Sequence, residues 1–74
     1  MRGLRNIALN NMNGKEIITR LKKEGWILVR VNGSHHIMRK AGALRDIPIP
    51  VHGSKDLGIG VIKSIEKQSG VKLR

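Results

Sequence analysis

The side chains best suited to chemistry at neutral pH are three histidines, the adjacent pair His35-His36 and the separate His52. A neutral imidazole both accepts and donates a proton near pH 7, which few other side chains do. The pair follows Val31-Asn32-Gly33-Ser34. Asn-Gly between alternating apolar residues is the strongest short-range hairpin signal, because both residues accept φ > 0. A hairpin of this kind sets two proton carriers just beyond its turn. Strand side chains alternate, so the two rings point to opposite faces and at most one serves a given site. On residue types alone, a histidine at the start of a strand is more often a partly exposed structural residue than a catalytic one. Rival chemistries are weaker. Three histidines lack the spacing of a zinc motif such as His-Glu-x-x-His, and with no cysteine there is no thiolate ligand, so no metal site is expected. Ser34 has no evident acid and base partners for a triad. The run from Gly53 to Gly60 lacks the Gly-Lys-Ser/Thr ending of a phosphate loop.

Charge supplies the second clue. Fifteen Lys and Arg against five Asp and Glu give a net charge of +10 on 74 residues. Such an excess is the footprint of a polyanion-binding protein, most simply one that binds nucleic acid. A basic membrane-surface helix would set Trp, Phe or Leu opposite its Lys and Arg, and Trp26, the one aromatic residue, does not lie in such a helix. The missing aromatics also argue against base stacking on a sheet, so phosphate and backbone contacts should dominate. No apolar run approaches the roughly 20 residues of a bilayer span, nor is there the apolar core of a signal peptide. The expectation is a cytoplasmic protein with no membrane partner, no small-molecule ligand and no cofactor. A chain this short forms one domain and buries only about 60% of its unfolded surface.

The elements that must position the histidines follow from pattern. Residues 1–11 carry Arg2 and Arg5 without periodicity and read as a basic, poorly ordered extension, leaving 12–74 as the domain. Asn13 and Glu16 make a capping box, with Met12 and Ile17 as a hydrophobic staple. Ile17, Ile18 and Leu21 form an apolar stripe, and Gly25 stops the helix that spans Asn13 to Glu24. Trp26 to Val31 alternates as strand one, with Ile27, Val29 and Val31 on one face and Trp26, Leu28 and Arg30 on the other. Periodicity does not say which face meets the helices. Strand two runs from His35 to Arg39, with His36 and Met38 on one face. A turn at Lys40 to Ala43 leads to strand three, Arg45 to Val51, whose Pro48 and Pro50 lack ladder donors and mark an edge. After a loop, a second helix from about Gly58 to Ser69 buries Val61, Ile62 and Ile65 and stops at Gly70. The expected fold is α+β, in the order α-β-β-β-α. A three-stranded antiparallel sheet carries both helices on one face.

From Met12 to about Val71 the chain resembles the HicA family, the toxin half of HicA–HicB toxin–antitoxin pairs. The resemblance rests on an ordered set. Gly25-Trp26 and Arg30 come first, then Gly33-Ser34-His35-His36, then Ile47-Pro48-Ile49-Pro50 with His52. Lys55-Asp56-Leu57, Gly60, Ile65 and Lys67-Gln68 complete it. Gly58 departs from the pattern, since many relatives carry a basic or polar residue there. The resemblance implies a double-stranded-RNA-binding-domain-like fold and a messenger-RNA interferase that depends on one histidine after the Gly-Ser pair. Relatives reading Gly-Ser-Asn-His place that role at His36. It also implies a HicB-like antitoxin that covers the histidine with an acidic surface.

Cleaving RNA without a metal requires a base for the 2′-hydroxyl, charge stabilisation at phosphorus and a proton for the leaving oxygen. A positioned histidine contributes about 10²–10⁴-fold. On this reading His36 is catalytic, and the RNA phosphates are held by Arg30, Gly33, Ser34, His35, Arg39, Lys40 and Lys55. Whether His35 or His52 assists stays open. The rival reading is a non-catalytic RNA-binding module that recognises shape and phosphates.

Overall fold

The computed structural model of the chain describes residues 12–74. The expected basic extension at 1–11 lies outside the described residues. Five elements follow in order: α1 (Gly14–Lys23), β1 (Ile27–Asn32), β2 (His35–Arg39), β3 (Ile47–Pro50) and α2 (Ile59–Ser69). The strands form one antiparallel sheet ordered β1-β2-β3, so the fold is the α+β arrangement that the pattern predicts.

Local chemistry accounts for the start and stop of α1. The Asn13 side chain accepts the Glu16 N–H at 2.9 Å, and the Glu16 carboxylate accepts the Asn13 N–H at 2.9 Å, closing the capping box. At the far end, Gly25 takes φ +96°. Its N–H donates to Lys22 at 3.1 Å while the Trp26 N–H reaches back to Leu21 at 3.0 Å, the paired bonds of a Schellman stop. The helix ends there.

One core holds the layers together. Met38, Ile47 and Ile49 from the sheet meet Ile17, Ile18 and Leu21 of α1 and Ile62 and Ile65 of α2. Each such side chain, fully buried, contributes about 1.5–3 kcal/mol. Both helices therefore lie on one face, and both contact β3. Strand β3 is an edge in its hydrogen bonding, as its prolines predict. By burial it is the better covered edge: Ile47 and Ile49 are buried, whereas Ile27, Leu28 and Val31 of β1 stand exposed.

Four local expectations need correction. The hairpin does not turn on Asn32-Gly33: Asn32 pairs with His35, so the turn is Gly33-Ser34. Gly33 alone takes the positive φ, +63°, as a type II′ turn with glycine first requires. Strand one does not alternate throughout. A bulge between Leu28 and Arg30 sets Leu28 opposite Met38 and Val31 opposite His36, so Leu28 and Val31 share a face. Strand three is shorter than Arg45 to Val51, with a ladder confined to Ile47–Pro50. Val61 is exposed, and the core space is filled from the C-terminal tail, where Val71 and Leu73 are buried.

That tail is held by three side chains, the first of them Ser69, whose hydroxyl accepts the Val71 N–H at 3.0 Å. Glu66 accepts the N–H groups of Leu73 at 2.8 Å and Arg74 at 3.2 Å, and the Arg74 guanidinium at 3.1 Å. Arg20 of α1 donates to the Lys72 carbonyl at 2.8 Å. The Leu73 amide above all holds the Glu66 carboxyl below its usual range, against the opposing effect of burial, with Arg74 assisting.

Candidate active site

Residues paired across antiparallel strands project to the same side of the sheet. Met38 pairs with Ile47 and lies in the core, so its face is the one the helices cover. His36, two residues earlier, pairs with Val31 and Ile49 and belongs to that same face. It is half-buried, at the rim where helical cover ends. No side-chain hydrogen bond among the described residues involves its ring. Nor is either ring nitrogen among the buried atoms lacking a partner. Among the described residues the ring thus has no side-chain partner, and Ile49 stands next to it across the ladder. His35 pairs with Asn32 and Pro50, and is exposed on the other face.

Tertiary contacts bring three further segments to the His36 end of the sheet. The Val51 N–H donates to the Ser34 carbonyl at 2.7 Å, fastening the exit of β3 to the hairpin turn. His52 follows at once, in a turn closed by the Lys55 N–H on the His52 carbonyl at 3.1 Å. The chain then returns to the start of α1, where Leu57 N–H meets the Met12 carbonyl at 2.7 Å and Asn13 bridges Asp56. Gly14 seals the corner: a Cβ there would collide with the Pro50 carbonyl oxygen and the Val51 side chain. A glycine in the first turn of a helix was the available signal of that close approach, since glycine in a helix costs about 1 kcal/mol. Beside the hairpin turn the space is open, with nothing within 4 Å of a Cβ built at Gly33.

The candidate cations divide among three places. Lys55 lies in the turn beside the histidine corner. Arg30 pairs with Ile37 on the face away from His36. Arg39, on the same outer face opposite Ile27, is closed in a two-pronged pair with Asp46 at 2.9 and 2.8 Å. The hydrogen bond from Arg39 holds the Asp46 carboxyl below its usual range, with Arg30 adding to the effect, and Asp46 in turn raises Arg39. Lys40 stands past the other end of β2, about 13 Å from His36 at the ordinary strand rise of ~3.3 Å per residue. Gly33, Ser34, His36 and Lys55 thus gather at one corner, with His35 adjacent on the opposite face, while Arg30, Arg39 and Lys40 do not join them. Asp46, which occupies Arg39, was not singled out by pattern because its partner is set by the β2–β3 pairing.

The family model described as HicA toxin of bacterial toxin-antitoxin matches residues 14–71. That span opens at the first residue of α1 and closes beyond α2, so it takes in both helices, all three strands and the histidine corner. The chain is a toxin of a toxin–antitoxin system, which implies a cognate antitoxin. It belongs to the HicA family. No curated protein matches the chain.

Proposed function

We propose that this toxin is a metal-independent endoribonuclease acting on messenger RNA through His36, and that a HicB-like antitoxin neutralises it. The observation that carries this reading is the placement of His36. It is the histidine of the pair on the helix-covered face, held half-buried in the central strand, with no side-chain hydrogen bond to its ring among the described residues. Packing on one side orients the ring and access on the other admits a substrate, as general acid–base catalysis requires.

The 2′-hydroxyl passes its proton to the imidazole as the 2′-oxygen bonds to the adjacent phosphorus. The bond from phosphorus to the 5′-oxygen breaks, and that oxygen takes a proton from the imidazolium or from water. The products carry a 2′,3′-cyclic phosphate and a 5′-hydroxyl. The Gly33 and Ser34 amides and the Lys55 ammonium stabilise charge on the non-bridging oxygens. Arg30 and His35 contact flanking phosphates from the outer face, where Arg39 is available only if Asp46 releases it. Since Trp26 is buried and there is no other aromatic residue, RNA is held through its backbone, with salt-dependent affinity.

The test is cleavage of an RNA carrying a single 2′-deoxy nucleotide at the cut site. It resists cleavage if the 2′-oxygen is the nucleophile, and cutting there overturns the mechanism. RNA binding without cleavage by the wild type would instead identify a non-catalytic binding module.

A further inference from the structure

At the end of β2 remote from His36, Leu44 stands 98% exposed on the β2–β3 loop, more open than any other large apolar side chain among the described residues. Lys40 to Arg45, Leu44 included, line an open cavity of about 600 Å³ together with Trp26, Gln68 and Ser69. Lys40 and Arg45 flank it with no ion-pair partner among the described residues. One wall is Trp26, whose indole nitrogen is buried without a hydrogen-bond partner. Ala41, Gly42 and Ala43 precede Leu44 between the cations, and nothing lies within 4 Å of a Cβ built at Gly42.

We propose that this cavity and Leu44 form the docking site for the cognate antitoxin. An acidic segment of the partner meets Lys40 and Arg45 with its carboxylates, and an apolar pocket of the partner covers Leu44. The inference rests on the toxin–antitoxin reading of the chain and gives the partner a second contact surface, additional to the one by which it covers the histidine corner. RNA fits poorly: a leucine offers nothing to a phosphate, and Trp26, only 2% exposed, shows too little of its ring to stack a base. A second copy of the chain fits poorly as well, because each copy carries +10 and would set like charges together. Fully exposed apolar side chains flanked by free cations are matched by a partner with acidic residues around an apolar pocket.

Leu44→Ser and Arg45→Gln test this in the full chain against the purified cognate antitoxin. Leu44 buries almost nothing, so its replacement leaves the fold intact, as an unchanged circular dichroism spectrum and Tm would show. Each substitution is expected to raise the antitoxin Kd at least tenfold by calorimetry, while Leu44→Ser cleaves RNA at the wild-type rate. Trp26 is the only tryptophan, so the protein labelled with 5-fluorotryptophan gives one ¹⁹F resonance at the cavity wall. That resonance should shift with antitoxin and stay in place with poly(U). Wild-type affinity in Leu44→Ser overturns the proposal, as does a resonance that moves with poly(U) and not with antitoxin. Loss of antitoxin binding in Leu44→Ser, with no RNA cleavage by the wild type, would leave the docking site standing and reject the ribonuclease.

Discussion

At the His35 end of β2 the chain reverses in two residues, Gly33 and Ser34, whereas at the Arg39 end it takes the stretch from Lys40 to Asp46 before β3 begins. The short turn is fastened by the Val51–Ser34 hydrogen bond, and the corner beside it by the Pro50 contact with Gly14 and the Asn13–Asp56 bridge. The long loop is anchored at its base by the Arg39–Asp46 pair, and its tip carries Leu44 into solvent. A tightly braced end suits a group that must hold a reacting atom in place. An open, charged loop with an apolar tip suits recognition. On the proposed reading, the two ends of one strand serve different tasks.

The largest effect should come from His36→Ala, which lowers RNA cleavage about 10²–10⁴-fold while leaving RNA affinity in a filter-binding assay unchanged. His35→Ala, on the opposite face, should alter the rate only a few-fold. Undiminished cleavage by His36→Ala would dissolve the contrast between the two ends. Gly14→Ala drives a methyl group into the Pro50 carbonyl, and should cost about 1–3 kcal/mol in urea denaturation with a parallel loss of activity. A neutral result would mean that α1 moves away from the corner without penalty.

Glu66→Gln weakens the hold on the C-terminal tail and should cost about 2 kcal/mol, since a carboxylate accepting backbone N–H groups is lost. The pH dependence has a definite sign. Glu66 is held below its ordinary value of 4.5. Its contribution is complete above that value and is lost as pH falls through the lowered one. Wild-type Tm should therefore drop on acidification more than that of Glu66→Gln, and parallel curves would remove the tail from the account. The smallest effect concerns the outer face. Asp46→Asn releases Arg39, and if RNA phosphates lie there, the slope of log K against log salt steepens by about 0.7. An unchanged slope would confine RNA to the histidine corner.

Much of this organisation is legible in the residues. The capping box at Asn13 and Glu16, the Gly25 stop, the β2 limits and the proline-marked edge depend on local chemistry that acts within a few residues. The errors share a cause: they arise where distant chain decides. Val61 matches a helical stripe as well as Ile62 does, but Val71 and Leu73 return from the tail and fill that side. The β1 bulge is invisible to alternation because only pairing with β2 reveals which residue is extra. Arg39 reads as a free cation until the register brings Asp46 to it.

Sequence alone determined the α-β-β-β-α order, the +10 charge, the absence of a stacking aromatic platform and a histidine pair divided between two faces. These follow from composition and from periodicities of two and about 3.6 residues. Which face the helices cover was left to tertiary structure. Packing of Ile47, Ile49 and Met38 against both helices selects the side on which His36 lies. The same packing joins Ser34 to Val51 and Gly14 to Pro50, contacts that no local pattern encodes, because they form only when burial of the core brings remote segments together.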